Sequence, residues 1–132
     1  MAQESLEKKK VLIVDDDPSN SSFFEILLLK EGFDFVTVSN GKDALQLLKK
    51  ESPTVFSLLV LDLMLPGFSG TEVLQELKKE IYRQVPILIV TARTLDDEAF
   101  AELKADPNVL DVLEKPIDHL RFRKKVREII FS

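Results

Sequence analysis

Three short runs of this chain are apolar at every position: Val11–Val14, Leu58–Leu61 and Ile87–Val90. A strand with one wet face alternates apolar and polar residues, so runs without alternation point to strands buried on both faces. Val11, Ile13 and Val14 are also β-branched, which favours the extended backbone. Each run then stops at a residue that is costly to bury. Asp15 follows the first, Asp62 the second and Thr91 the third. A carboxylate ending a buried strand must meet a cation, hydrogen-bond donors or open water.

The segments between these runs carry helical signals. Asp17–Pro18 suits a helix start, and Phe23, Phe24, Ile26, Leu27, Leu28 and Leu29 supply an apolar face and more before Gly32 stops the helix. Asn40–Gly41 turns into a second helix carrying Ala44, Leu45, Leu47 and Leu48. Pro66–Gly67 turns the chain after Asp62, and Ser69-x-x-Glu72 forms a capping box for a third helix over about 71–80, with Val73, Leu74, Leu77 and Ile81 at helical spacing. Asp96, Asp97 and Glu98 suit the positive end of a fourth. Asp118 caps a last helix carrying Leu120, Phe122, Val126, Ile129 and Ile130. Two further strands complete the alternation: Phe35–Val38, less apolar and nearer an edge, and Val109–Leu113.

Five strands alternating with five helices predict an α/β fold, a doubly wound (βα)5 domain with a parallel sheet and helices on both faces. Such sheets place functional groups beyond the carboxyl ends of their strands. Asp15, Asp16, Asp62, Thr91 and Lys115 all stand there. A flavodoxin-like strand order, 2-1-3-4-5, would gather them around one crevice. Two carboxylates about 4 Å apart repel by roughly 4 kcal/mol at an effective dielectric near 20. Three converging acids therefore call for a divalent cation, and all-oxygen donors suit Mg²⁺ or Mn²⁺.

The bulk properties fit one domain. The chain has 132 residues and 45% hydrophobic content. With no cysteine, disulfides, thiolate metal sites and thiol nucleophiles are excluded, and a single histidine, His119, excludes a two-histidine metal site. No apolar run reaches membrane-spanning length, and residues 1–9 are a polar segment without the apolar core of a signal peptide. A cytoplasmic location with no membrane contact is the expectation. The net charge of −5 argues against the domain itself coating nucleic acid.

Val-Asp-Asp-Asp-Pro at 14–18, Leu-Asp-Leu-Met-Leu-Pro-Gly-Phe-Ser-Gly at 61–70, Val-Thr-Ala at 90–92 and Lys-Pro at 115–116 together resemble the receiver domain of two-component response regulators. The resemblance covers residues 10–131. It implies a signalling domain, not an enzyme acting on other substrates, with Asp62 as phosphoacceptor from a phosphohistidine. It implies Mg²⁺ held by Asp15, Asp16, Asp62 and the backbone carbonyl of Met64, with Thr91 and Lys115 meeting phosphoryl oxygens. It further implies a cis bond at Lys115–Pro116. The implied partners are a sensor histidine kinase or phosphotransfer protein, and a downstream protein target or fused output domain, with the domain a monomer or weak dimer.

The chain departs from that family pattern at Val112, where many receivers carry Tyr or Phe, and before the last strand, where 104–109 lacks the usual Gly-Ala pair and looks a residue or two longer. Output is therefore expected through the loop after Thr91 and the fourth helix. Met64 and Arg93 are expected to screen the phosphoryl group from water. Two alternatives remain: a phosphatase of haloacid-dehalogenase type using Asp15, and a receiver-like binding module that is never phosphorylated. Arg121, Arg123, Lys124, Lys125 and Arg127 read as a solvated basic helix face.

Overall fold

A computed structural model describes residues 9–51, 55–64, 70–77 and 85–131, the side chains of residues 70 and 71 excepted. The elements run β1 (Lys10–Val14), α1 (Pro18–Lys30), β2 (Asp34–Val38), α2 (Gly41–Lys50), β3 (Leu58–Asp62), α3 (Gly70–Leu77), β4 (Ile87–Thr91), α4 (Asp97–Lys104), β5 (Val109–Glu114) and α5 (His119–Ile130). All pairings are parallel, in the order β2-β1-β3-β4-β5. This is the flavodoxin-like order expected. The Pro66–Gly67 turn, Ser69 of the capping box, Phe68 and Ile81 lie outside the described residues.

The all-apolar runs are buried on both faces, as their composition requires. Val11, Ile13, Leu58, Val60, Leu88 and Val90 pack with Phe24 and Leu28 of α1 and with Phe122 and Val126 of α5. The alternate residues Leu12, Val14, Leu59, Leu61, Ile87 and Ile89 pack with Leu45 and Leu48 of α2 and Val73, Leu74 and Leu77 of α3. Leu95, Phe100 and Leu103 pack on this second face while only partly buried, and α4 has no fully buried residue. It is therefore the helix with the least apolar surface holding it down.

The helix starts follow the sequence signals. Asp17 accepts from Ser19 N–H, Asn40 from Asp43, Asp96 from Ala99, and Asp118 from Leu120 and Arg121. At the end of α1, Gly32 takes φ +83°, and Gly32 N–H and Phe33 N–H return to the carbonyls of Leu29 and Leu28. A left-handed residue there favours glycine.

The basic face of α5 is not simply solvated. Arg123 Nη2 and Arg127 Nη1 each lie 2.6 Å from the Glu31 carboxylate, tying α5 to the end of α1. Lys125 pairs with Asp111 at 3.0 Å and Glu128 at 3.3 Å. Arg121 and Lys124 are exposed, and Arg127 is exposed as well while its guanidinium pairs with Glu31, so the face is solvated only in part. Hydrogen bonds from Arg127 and Arg123 hold the Glu31 carboxyl below its ordinary value. A depressed carboxyl stabilises the fold above its unfolded value and loses that contribution as pH falls through the folded one. Glu31→Gln should therefore cost about 1 kcal/mol at neutral pH, since both arginines are partly in water. In thermal melts its deficit should shrink below pH 4.5, the ordinary value for glutamate. A deficit unchanged on acidification would exclude the ion pair as its source.

The longer approach to β5 is absorbed as a bulge. Ile87 pairs with Val109 but Leu88 with Asp111, leaving Leu110 over and 42% exposed. Val112 is buried on the α2–α3 face, in the position expected to exclude an aromatic relay.

Candidate functional site

The register builds the site. Val14 pairs with Leu61, so Asp15 and Asp62 leave adjacent strands side by side. Thr91 pairs with Glu114, so Lys115 leaves β5 just beyond them. The Lys115 N–H donates to the Thr91 carbonyl at 2.7 Å, and the Lys115–Pro116 bond is cis, as expected.

Lys115 Nζ lies 3.2 Å from Asp15 Oδ2 and 3.0 Å from Asp62 Oδ2. The other oxygen of each acid accepts a backbone N–H two residues on: Asp15 Oδ1 from Asp17, and Asp62 Oδ1 from Met64, both at 2.9 Å. Aspartate favours this local turn. Both acids are thus fixed from behind by their own loops and in front by one shared ammonium. Asp16 is exposed beside them. One carboxylate oxygen from each of Asp15, Asp16 and Asp62 lies within 4.8 Å of the others, the candidate metal cluster among the described residues.

Burial raises the Asp15 carboxyl above its ordinary value, and the neighbouring Asp62 adds to this, against the Asp17 N–H and Lys115. Burial works against the Lys115 ammonium, yet Asp62 and Asp15 together hold its value above the ordinary one. The lysine is firmly charged and still leaves Asp15 reluctant to ionise. Three carboxylates against one ammonium leave two negative charges, which a single divalent ion would cancel.

Thr91 is fully buried, and its hydroxyl accepts from Arg93 N–H at 3.1 Å, with no contact to the acids among the described residues. The Arg93 guanidinium reaches across to the Met64 sulfur at 3.5 Å, so these two exposed side chains meet at the rim. Three features of the molecule have no clear mark in the sequence: the Glu31 clamp, the buried Asp111 held by Lys125, and Asp106. Glu31 meets its arginines 92 and 96 positions away, and Asp106 and Asp111 are surface-type residues that carry no local sign of burial.

Against known proteins, residues 11–127 match the model of the response regulator receiver domain. The transcriptional regulatory protein AfsQ1 of Streptomyces coelicolor is 31% identical over 106 residues, covering 80% of this chain and 44% of that protein. A CpxR homologue of Haemophilus influenzae is 36% identical over 106 residues, covering 79% and 42%. The chain thus spans less than half the length of these relatives. The chemotaxis response regulator CheY4 of Vibrio cholerae superposes with a TM-score of 0.80 at 27% identity, covering 93% of this chain and 99% of that one. The receiver domain of a sensor histidine kinase from Pseudomonas aeruginosa, with magnesium in its active-site cleft, shares the fold at a TM-score of 0.79 and 24% identity, covering 96% and 100%.

Proposed function

The chain belongs to the response regulator receiver domain family of two-component signalling, and on that premise we propose that Asp62 accepts a phosphoryl group from a phosphohistidine on a sensor kinase or phosphotransfer protein. The observation that carries this is the meeting of Asp15, Asp16 and Asp62, two of which, Asp15 and Asp62, share the Lys115 ammonium. Asp62 is the last residue of the interior strand β3, with the Met64 N–H behind it and the Lys115 ammonium in front. Its carboxylate forms the new O–P bond in line as the imidazole N–P bond breaks.

Asp15, Asp16, Asp62 and the Met64 carbonyl would hold Mg²⁺, or Mn²⁺. The donors are all hard oxygens, the class that suits either ion, and one from each acid lies within 4.8 Å of the others. When bound, the ion supplies positive charge to the transferring phosphoryl oxygens. Lys115 then turns from the carboxylates toward one of those oxygens. The Thr91 hydroxyl, which accepts from Arg93 N–H and keeps its own O–H as a donor, donates to another. Because Thr91 begins the loop into α4, its movement is transmitted to the helix with the fewest apolar anchors. Output through this loop fits the absence of an aromatic at Val112.

The dehalogenase-type reading needs Asp15 and Asp17 as a working pair, but Asp17 caps α1 and Asp15 faces Lys115. No described helix is long and apolar enough to cross a membrane. The expectation of no direct nucleic-acid contact gains no support from relatives that are transcriptional regulators, and it is not carried forward. The test is incubation with Mg²⁺ and acetyl phosphate, borohydride trapping and mass-spectrometric mapping. Label on Asp62 is expected. Label on Asp15 with turnover of phosphate esters would establish the phosphatase, and no label the binding module.

Arg93 and Met64 form a partial lid over the phosphoryl position. Arg93→Ala should speed self-dephosphorylation severalfold by admitting water, read as loss of labelled phosphate over time. An unchanged rate would remove Arg93 from that role.

A further inference from the structure

Met64 and Arg93 meet at the rim of the site from two different loops, Met64 two residues past Asp62 and Arg93 two past Thr91. Arg93 Nη2 lies 3.5 Å from the Met64 sulfur, and both side chains are exposed, Met64 to 50%. The backbone behind each is held: Met64 N–H donates to Asp62 Oδ1, and Arg93 N–H to the Thr91 hydroxyl. The contact between the two tips is therefore the part that can change. A guanidinium is rich in donors and a thioether is a weak acceptor, so Arg93 is given a poor partner here.

The sulfur is also the atom of this pair that oxidation can alter. The chain has no cysteine, so a peroxide meets no thiol first, and its two methionines are Met1 and Met64. We propose that Met64 is an oxidation site for hydroperoxides, and that its sulfoxide fastens Arg93 at the rim and so prolongs the phosphorylated state. The sulfur lone pair attacks the terminal peroxide oxygen, and the S–O bond forms as the O–O bond breaks. The proton on the transferred oxygen passes to the departing one, giving a sulfoxide and water or an alcohol. The sulfur is oxidised by two electrons, and the peroxide is reduced by them. Because the methionine side chain is unbranched and flexible, the new oxygen can turn to Arg93 Nη2. A sulfoxide is polar where the thioether was not, and a hydrogen bond from a charged donor is roughly twice as strong as a neutral one. Arg93 then leaves the rim less often, and water reaches the phosphoryl group less often. The longer lifetime rests on the proposed phosphorylation of Asp62, whereas the oxidation and the new Arg93 bond do not.

The test treats the protein with hydrogen peroxide, maps the added oxygen by mass spectrometry, and follows the Arg93 Nε–H signal in ¹⁵N-labelled, unphosphorylated protein. One oxygen on Met64 should move that signal, and methionine sulfoxide reductases should return it. Once labelled at Asp62, the oxidised protein should lose phosphate severalfold more slowly than the untreated one. Arg93→Ala, although oxidised at Met64, should show no slowing, and the rate of Met64→Leu should not respond to peroxide. A Met64 that stays unoxidised while Met1 reacts, an Arg93 signal that does not move, or an unchanged rate of phosphate loss would overturn the proposal. Equal slowing in either variant would do the same, by placing the effect elsewhere. If Asp62 takes up no phosphate, the proposed function fails, and the Arg93 signal still decides whether the sulfoxide binds that arginine.

Discussion

Asp62→Asn protein incubated with Mg²⁺ and acetyl phosphate should take up no phosphoryl group, while the unaltered protein is expected to be labelled at that residue. The amide keeps the side-chain shape and can still accept from Met64 N–H, but it has no anionic oxygen to attack phosphorus. The loss of labelling should exceed about a hundredfold, the effect of deleting the group that forms the new bond. Stability should move little or rise, within about 1 kcal/mol. Lys115 retains Asp15, and one of the causes raising the Asp15 carboxyl is removed with the Asp62 charge. The Asp15 carboxyl should accordingly titrate at a lower value in the variant, as followed by side-chain carbon shifts. Persistent labelling of the variant would assign the nucleophile elsewhere, with Asp15 the first residue to map.

Lys115→Ala should lower stability by about 3 kcal/mol in metal-free buffer at neutral pH. Removing one partner from a buried ion pair leaves uncompensated charge, which costs roughly 3–5 kcal/mol. Here the Asp15 and Asp62 side chains are 0% and 4% exposed. The wild-type Lys115 value is raised, so its contribution is complete below its ordinary 10.5 and is lost only as pH rises through the folded value. Asp15 behaves differently. Its folded value lies above the ordinary 3.8, so the protonated acid favours folding, and that contribution disappears as pH rises through the folded value. Without Lys115 the carboxyl rises further, so the variant's deficit should narrow on acidification. Magnesium should stabilise the variant more than the parent, because no ammonium then competes for the two Oδ2 atoms. Thermal melts with and without Mg²⁺ across pH measure all three effects. Equal metal-free stability of variant and parent would show that the two acids need no cation.

The architecture was legible because the strongest signals were local and mutually consistent. Val11–Val14 could only be a strand covered on both faces, and Phe35–Val38, with Thr37 inside it, announced the edge that β2 occupies. Asp17, Asn40, Asp96 and Asp118 stand at helix starts for reasons readable within three residues. The acid edge followed from strand order alone. Glu31 was illegible because its arginines lie 92 and 96 positions away. Asp106 looked like an ordinary turn residue before Pro107, and only the fold shows one of its oxygens sealed in without a donor. Thr91 was expected among the phosphoryl contacts, and the acceptance of Arg93 N–H by its hydroxyl, which leaves the O–H as a donor, is a local bond that sequence order does not reveal.

The position of each strand in the sheet also sets how readily its groups can move. β1, β3 and β4 each have neighbours on both sides, whereas β2 and β5 are edges. Interior strands exchange their amide hydrogens only when the sheet as a whole opens, while edge strands can open locally. Asp15, Asp16 and Asp62 therefore hang from the slowest-exchanging part of the molecule, and Lys115 from one of its two looser margins. The anions are the fixed part of this site and the cation its adjustable part, so a new charge arriving at Asp62, as proposed, would be accommodated by moving one lysine and not by reshaping the acids.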